Sequence, residues 1–319
     1  MIPRATFALL AAMKPIPGKT SLAPLTTFGL GGPCDEYREA SSAAKIADAL
    51  RDWTARQMPW HVLGGGSNVL VADEGIPGGV LRLLPPPDAT VQALPDGPLL
   101  CPAGMRLDEA VLQGIETGQL GPLWAELSGI PGTVGGAVCG NAGAFGVQIG
   151  DFVDKVELVR PDGCVELLPH DALAFAYRTS ALQKGIGVVS RIWLRGTAVQ
   201  SDRAAARTRR NEILALRREK HPTLGPGLPG TAGSFFRNLP PPEPGARRQP
   251  AGALLEAVGA KTMRVGGAYV FEKHANILMA GPSATAADVR ALATRLQTAV
   301  RNRFGVSLTW EVRAWPAID

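Results

Sequence analysis

Gly64-Gly65-Gly66-Ser67-Asn68 stands between two apolar runs. Successive unhindered N–H groups in such a turn make a nest for an anion, a pyrophosphate above all. It is no Rossmann fingerprint, because no GxGxxG opens a long helix here. A second stretch runs from Ser128, Gly129, Pro131, Gly132, Thr133, Gly135 and Gly136 to Asn141, Gly143 and Gly146, with seven glycines in 19 residues. That density would severely weaken an ordinary helix or strand. The stretch is otherwise apolar, so backbone packed against a flat or extended cofactor explains it better than surface flexibility. A tight helix–sheet crossing is the structural alternative.

Residues 202–220, DRAAARTRRNEILALRREK, form a basic helical connector. Either it is a solvated helix between domains, or one or two of its cations reach substrate phosphates. HVLGGGSNVLVAD reads as strand, Gly-rich turn, strand. Pro85-Pro86-Pro87 and Pro240-Pro241-Pro242 break any regular element. KVELVRPDGCVELL is a hairpin, with Asp162-Gly163 between two alternating runs. Further on, Val289, Leu292, Leu296 and Val300 share a helical face, Thr285 and Asp288 are placed as a capping box, and Gly305 is a stop. The final VSLTWEV alternates as a strand, with Val306, Leu308, Trp310 and Val312 on one face. Glu311 falls on the other, which is either solvent or a pocket.

At 319 residues, with 45% hydrophobic and 19% charged residues, the chain has room for two or three packed units and is not disordered. A net charge of +5 suits an enzyme that gathers anionic phosphates. Aromatics at 6%, with no basic stripe among them, argue against nucleic acid. Cys34, Cys101, Cys139 and Cys164 include no CxxC pair, so neither a disulfide framework nor a metal site is expected, and a reducing cytoplasm fits. No apolar run reaches 18 residues, so no membrane span is expected. MIPRATFALLAAMK resembles a weak signal peptide but lacks a small-residue cleavage site, and reads better as a misjudged start or a short helix on the body.

Taken together, LTTFGLGGPCD, VLGGGSNVLVAD, ELSGIPGTVGGAVCGNAGAFG, AYRTS, GTAGSFFRN, AGALLEAVGAKTMRVGGAYVFEKHANILM and the terminal EVR resemble the UDP-N-acetylenolpyruvoylglucosamine reductase family, in family order over roughly residues 22–313. SGIPGTVGGA together with GSFF and KHAN carries most of the specificity. The resemblance implies an α+β, vanillyl-alcohol-oxidase-type FAD-binding fold of two subdomains, 17–84 and 85–200. A basic connector and C-terminal substrate-binding domain follow at 201–316. It implies non-covalent FAD held by the two Gly-rich stretches (Gly64 to Asn68, and Ser128 to Gly143). NADPH is the implied co-substrate and an enolpyruvyl UDP-sugar the substrate. A monomer is expected.

Three catalytic positions follow from the resemblance. Arg178 lies beside the substrate carboxylate, Ser234 is the proton donor, and Glu311 is the C-terminal glutamate near the flavin. Tyr177, Lys220, Asn238, Lys273, His274 and Asn276 are implied substrate contacts. Each has a structural alternative. Tyr177 could be a packed aromatic, Ser234 a cap on the turn after Gly233, Glu311 an exposed strand carboxylate, and Lys220, Lys273, His274 and Asn276 surface or supporting residues. His61 could attach flavin covalently, but a plain strand histidine is the simpler reading. Only 57 positions separate Tyr177 from Ser234, leaving no room for the tyrosine-bearing loop of one family branch. Leu239 stands where the family usually has proline, and a Pro-rich insertion follows through Pro250. Two rival readings remain, an FAD-linked oxidase or dehydrogenase and a flavin-binding module without turnover.

Overall fold

The computed structural model of the chain describes residues 19–94, 97–196, 202–243 and 245–317. The N-terminal MIPRATFALLAAMK segment lies outside them. The described residues form two compact units, each built from separated stretches of chain.

The larger unit comprises residues 37–67, 77–196 and 202–221. Helix Ala43–Ala55 starts where the Ser42 side chain accepts from Lys45 N, and it buries Ile46, Ala47, Leu50 and Trp53. A Cβ at Gly79 would lie 2.5 Å from the Trp53 indole, so this strand position needs glycine. Strand Trp60–Leu63 runs parallel to Ile76–Leu83, with His61 opposite Val80. Burial pushes the His61 imidazole pKa down. A five-stranded antiparallel sheet follows, ordered Val165–Pro169, Val153–Val159, Val188–Leu194, Leu99–Pro102, Gln92–Ala93. The Asp162-Gly163 hairpin is there. Asp162 Oδ1 accepts from Cys164 N at 2.8 Å and Gly163 takes φ +85°.

Helix Arg203–Lys220 belongs to this unit and is not the solvated connector read from its composition. It buries Ala206, Arg210 and Ile213. Its cations meet carboxylates of the neighbouring helices: Arg207 with Glu116, Arg209 with Glu126, and Arg210 in a two-pronged pair with Asp108 at 2.5 and 2.7 Å. Burial alone would raise the Asp108 pKa, but Arg210 and the Gly129 N–H hold it below the usual range. A carboxylate lowered in the folded state stabilises above its unfolded pKa. That contribution is lost as pH falls through the folded value, here below about pH 4. Asp108→Asn should cost about 2 kcal/mol at neutral pH, the buried-pair cost discounted for the third of the carboxylate that meets solvent. Urea melts at pH 7 and pH 3 check this: the gap between variant and parent should shrink at the lower pH.

The smaller unit comprises residues 19–36, 68–76 and 222–317. A three-stranded antiparallel sheet, Arg264–Val265, Ala268–Val270 and Leu278–Ala280, packs with helix Ala286–Phe304. The capping box of Thr285 and Asp288 is formed, and Val289, Leu292, Leu296 and Val300 are buried as their spacing requires. Asp73 adds a second cap, accepting from Ala286 N and Ala287 N at 2.8 and 2.9 Å.

The terminal VSLTWEV is not the regular strand its alternation suggested. Its burial alternates, but among the described residues it makes a single bridge, Trp310 to Phe236, and the strand begins at Arg313 and runs to Trp315. Alternation records which side is buried, whereas a strand also needs a continuous ladder partner. Arg313–Trp315 finds one in Val69–Val71, in parallel.

Candidate functional site

In the larger unit the two Gly-rich stretches pack on each other. Ser67 Oγ donates to Pro131 O at 3.0 Å, and a Cβ on Gly132 would lie 2.7 Å from Ser67 Oγ. A Cβ on Gly64 would fall on Thr133 Oγ1, and one on Gly65 would stand 2.7 Å from Gly132 Cα. Gly66 and Gly132 have φ of +63° and +116°. Thr133 caps the short helix Val134–Gly140, its hydroxyl accepting from Gly136 N, and Gly135 N donates to Ala103 O at 2.8 Å. The glycines thus bring backbone close to backbone in a loop pair. Ser128 is buried, its hydroxyl donating to Ala125 O.

Gly65→Ala should be costly because it presses on main chain, which cannot swing aside as a side chain does. The expected loss is about 1–3 kcal/mol with lowered FAD occupancy. Flavin absorbance per protein and a thermal melt measure both. Full occupancy at an unchanged Tm would show that the loops do not need this approach.

Beyond the loop pair lies the Tyr177-Arg178 turn. Ala176 and Thr179 exchange both backbone hydrogen bonds at 3.1 Å, which makes Tyr177 and Arg178 its two central residues. Arg178 has φ +57°, uncommon for a side chain of this size. Its Nη2 donates to Gly143 O at 2.8 Å, and its guanidinium carbon stands 5.1 Å from the Tyr177 ring. Tyr177 is half-buried.

Sequence reasoning did not single out Arg217. Among the described residues its buried Nε and Nη2 find no hydrogen-bond partner. Burial pushes its pKa down, opposed by nearby Asp108. Its Cδ lies 2.8 Å from where a Cβ on Gly129 would be, and its guanidinium is 6.0 Å from the Phe145 ring, as is that of Arg209. A signal was available. Ala206, Arg210, Ile213 and Arg217 repeat at helical spacing, which puts an arginine on the buried stripe. Lys220, the last residue of the same helix, is exposed.

In the smaller unit the segment that carries Ser234 runs beside the one that carries Glu311, while Ser234 itself bridges Ile277. Glu311 N donates to Phe235 O at 2.8 Å, and Phe236 bridges Trp310. The turn at Gly233 (φ +75°) is capped by Thr231, whose Oγ1 accepts from Gly233 N at 3.2 Å, so Ser234 is not its cap. Asn68 belongs beside Glu311: its Nδ2 donates to Glu311 O at 3.1 Å and its carbonyl accepts from Arg313 N. Asn276, 2% exposed, gives both ends of its carboxamide to the backbone of Phe236, at 2.8 and 2.9 Å. Asn238 Oδ1 accepts from Ala251 N, and its carbonyl accepts from Arg248 of the Pro-rich insertion. His274 Nδ1 accepts from Asn276 N, and burial pushes the His274 pKa down. Lys273 is exposed.

An α+β fold that packs two glycine loops on each other next to an incompletely paired, buried guanidinium suits a flavin-binding protein. Residues 35–168 match the FAD binding domain model, and residues 225–315 match that of the UDP-N-acetylenolpyruvoylglucosamine reductase C-terminal domain. The curated UDP-N-acetylenolpyruvoylglucosamine reductase of Chloroherpeton thalassium is 36% identical over 92% of this chain and 91% of its own length. That of Bradyrhizobium sp. is 34% identical over 98% and 97%. The crystal structure of UDP-N-acetylenolpyruvylglucosamine reductase from Thermus caldophilus matches with TM-score 0.75 and 31% identity, covering 93% of this chain and 98% of that one. The chain belongs to the UDP-N-acetylenolpyruvoylglucosamine reductase family. No helix among the described residues is long and apolar enough to cross a membrane, and they bring no three His, Cys, Asp or Glu side chains together as a metal site.

Proposed function

We propose that the protein uses NADPH and non-covalent FAD to reduce the enolpyruvyl ether of UDP-N-acetylglucosamine to UDP-N-acetylmuramate, a peptidoglycan precursor. It would do so in the cytoplasm, as a monomer. The observation that carries this is the pairing of the Ser234 segment with Glu311, in a chain similar over nine-tenths of its length to reductases of that name.

The residues fit FAD. The Gly64-to-Ser67 and Ser128-to-Gly136 loops turn through left-handed glycines at Gly66, Gly129 and Gly132, the kind of backbone that can nest a pyrophosphate. Arg217 offers buried N–H groups that want an acceptor. FAD, once bound and reduced by NADPH, supplies the hydride that no side chain can give.

The chain's own residues do the rest. Arg178, planar and permanently cationic, clamps the substrate carboxylate and stabilises the charge that builds on it. Glu311, in the C-terminal segment, is the third residue assigned a part in the reaction. The Ser234 hydroxyl gives a proton to the carbon bearing the ether oxygen, while the terminal methylene becomes a methyl group. Asn68 and Asn276 hold the backbones that carry Glu311 and Ser234, and Lys220, Asn238, Lys273 and His274 serve the sugar nucleotide. With no tyrosine-bearing loop between Arg178 and Ser234, closure over the substrate falls to other residues.

The test is NADPH oxidation followed at 340 nm with and without the enolpyruvyl UDP-sugar, and mass analysis of the product. Strict substrate dependence and a product two hydrogens heavier are expected. Substrate-independent oxidation with oxygen consumed would point to an oxidase instead.

A further inference from the structure

We infer that Asn141 is the positioning residue for Arg178, fixing the turn that aims its guanidinium. The inference rests on the proposed reading of Arg178 as the clamp on the substrate carboxylate. Asn141 lies in the second Gly-rich stretch, where its place among glycines suggests a cofactor contact, but its side chain is engaged elsewhere. It is 1% exposed and follows helix Val134–Gly140 in the left-handed conformation, at φ +45°. Its Nδ2 donates to Ala176 O at 2.9 Å and to Gln148 Oε1 at 3.0 Å, and its Oδ1 accepts from Gly150 N at 3.0 Å. A carboxamide has two N–H donors, and both are used. A Cβ on Gly150 would stand 2.8 Å from Asn141 Oδ1, so the glycine there permits the approach.

Ala176 O, the acceptor, opens the turn that carries Tyr177 and Arg178. Two further side chains brace that turn. Gln183 Nε2 donates to Arg178 O at 3.1 Å and to Cys139 O at 3.0 Å, and Ser180 Oγ donates to Cys139 O at 2.8 Å. The guanidinium rests on Gly143 O, only two residues beyond Asn141. Asn141 therefore ties the turn to the same short tract that carries the guanidinium's own acceptor. A left-handed arginine persists only where its surroundings over-determine it. Asparagine suits the tie because it tolerates the left-handed region and both donates and accepts.

The test measures selectivity. Calorimetry on the holoenzyme gives affinities for the enolpyruvyl UDP-sugar and for UDP-N-acetylglucosamine, which lacks the carboxylate. Asn141→Gly keeps the left-handed backbone and removes all three side-chain bonds. It should narrow the preference for the carboxylate-bearing ligand by about tenfold, while affinity for the other ligand stays within about twofold. Asn141→Asp, which loses both donors, should do the same, and Arg178→Leu should abolish the preference. If Arg178→Leu abolishes it and Asn141→Gly leaves it intact, the positioning role is overturned and the clamp reading stands. If Arg178→Leu keeps the preference, the clamp reading itself falls. Should Asn141→Gly fail to fold, Asn141→Asp decides alone: a narrowed preference supports the inference, and an unchanged one overturns it.

Discussion

Arg178→Ala should leave flavin reduction by NADPH within a few-fold of the parent and slow reoxidation by the enolpyruvyl substrate roughly 10²–10³-fold. The asymmetry follows from where charge develops. Only the second half-reaction places negative charge on the substrate carboxylate, and a fixed guanidinium there acts in a medium that excludes much of the screening water. Arg178→Lys should recover only part of the rate, because an ammonium cannot match the planar fork. The backbone gives a control that separates chemistry from folding. At φ +57° the arginine carries strain that glycine does not. Arg178→Gly should therefore be more stable than Arg178→Ala by about 1 kcal/mol while losing as much activity. Stopped-flow on each half-reaction, with a thermal melt, measures all of this. An equal fall in both half-reactions would remove Arg178 from the proposed role.

Ser234→Ala is the second large effect, with reduction by NADPH nearly intact and reoxidation by substrate slowed about 10²–10⁴-fold. The segment is held from both sides. Asn276 grips the backbone of Phe236, and Glu311 N donates to Phe235 O. The variant should therefore keep the local structure and lose only the acid. Ser234→Cys, which keeps a dissociable proton on a larger atom, should fall between parent and alanine. If Ser234→Ala slowed the NADPH step equally, the hydroxyl would be serving the fold or the flavin and not the proton transfer.

Features written in neighbouring residues were legible in the sequence. The Thr285–Asp288 cap, the buried stripe from Val289 to Val300 and the Asp162-Gly163 turn depend on contacts a few positions apart, and all three are formed. What distance in the chain decides was not legible. Asn141 meets Ala176 35 positions away, Asn276 meets Phe236 at 40, and Asn68 meets Glu311 at 243. A carboxamide in a Gly-rich tract reads as a ligand contact until its partner is known. The same holds for helix Arg203–Lys220, whose charges look solvated until Asp108, Glu116 and Glu126 are placed opposite them. Arg217 was open to a periodicity argument, because it continues the stripe of Ala206, Arg210 and Ile213, but its +1 charge hid it among surface cations.

The most direct test of the central claim is an anaerobic flavin titration of the purified protein. NADPH is added until the flavin bleaches, and the enolpyruvyl UDP-sugar then follows. The oxidised spectrum should return in proportion to the sugar nucleotide added, and UDP-N-acetylglucosamine should restore nothing. Flavin that bleaches and stays bleached, or protein that takes up no FAD on reconstitution, would contradict the account.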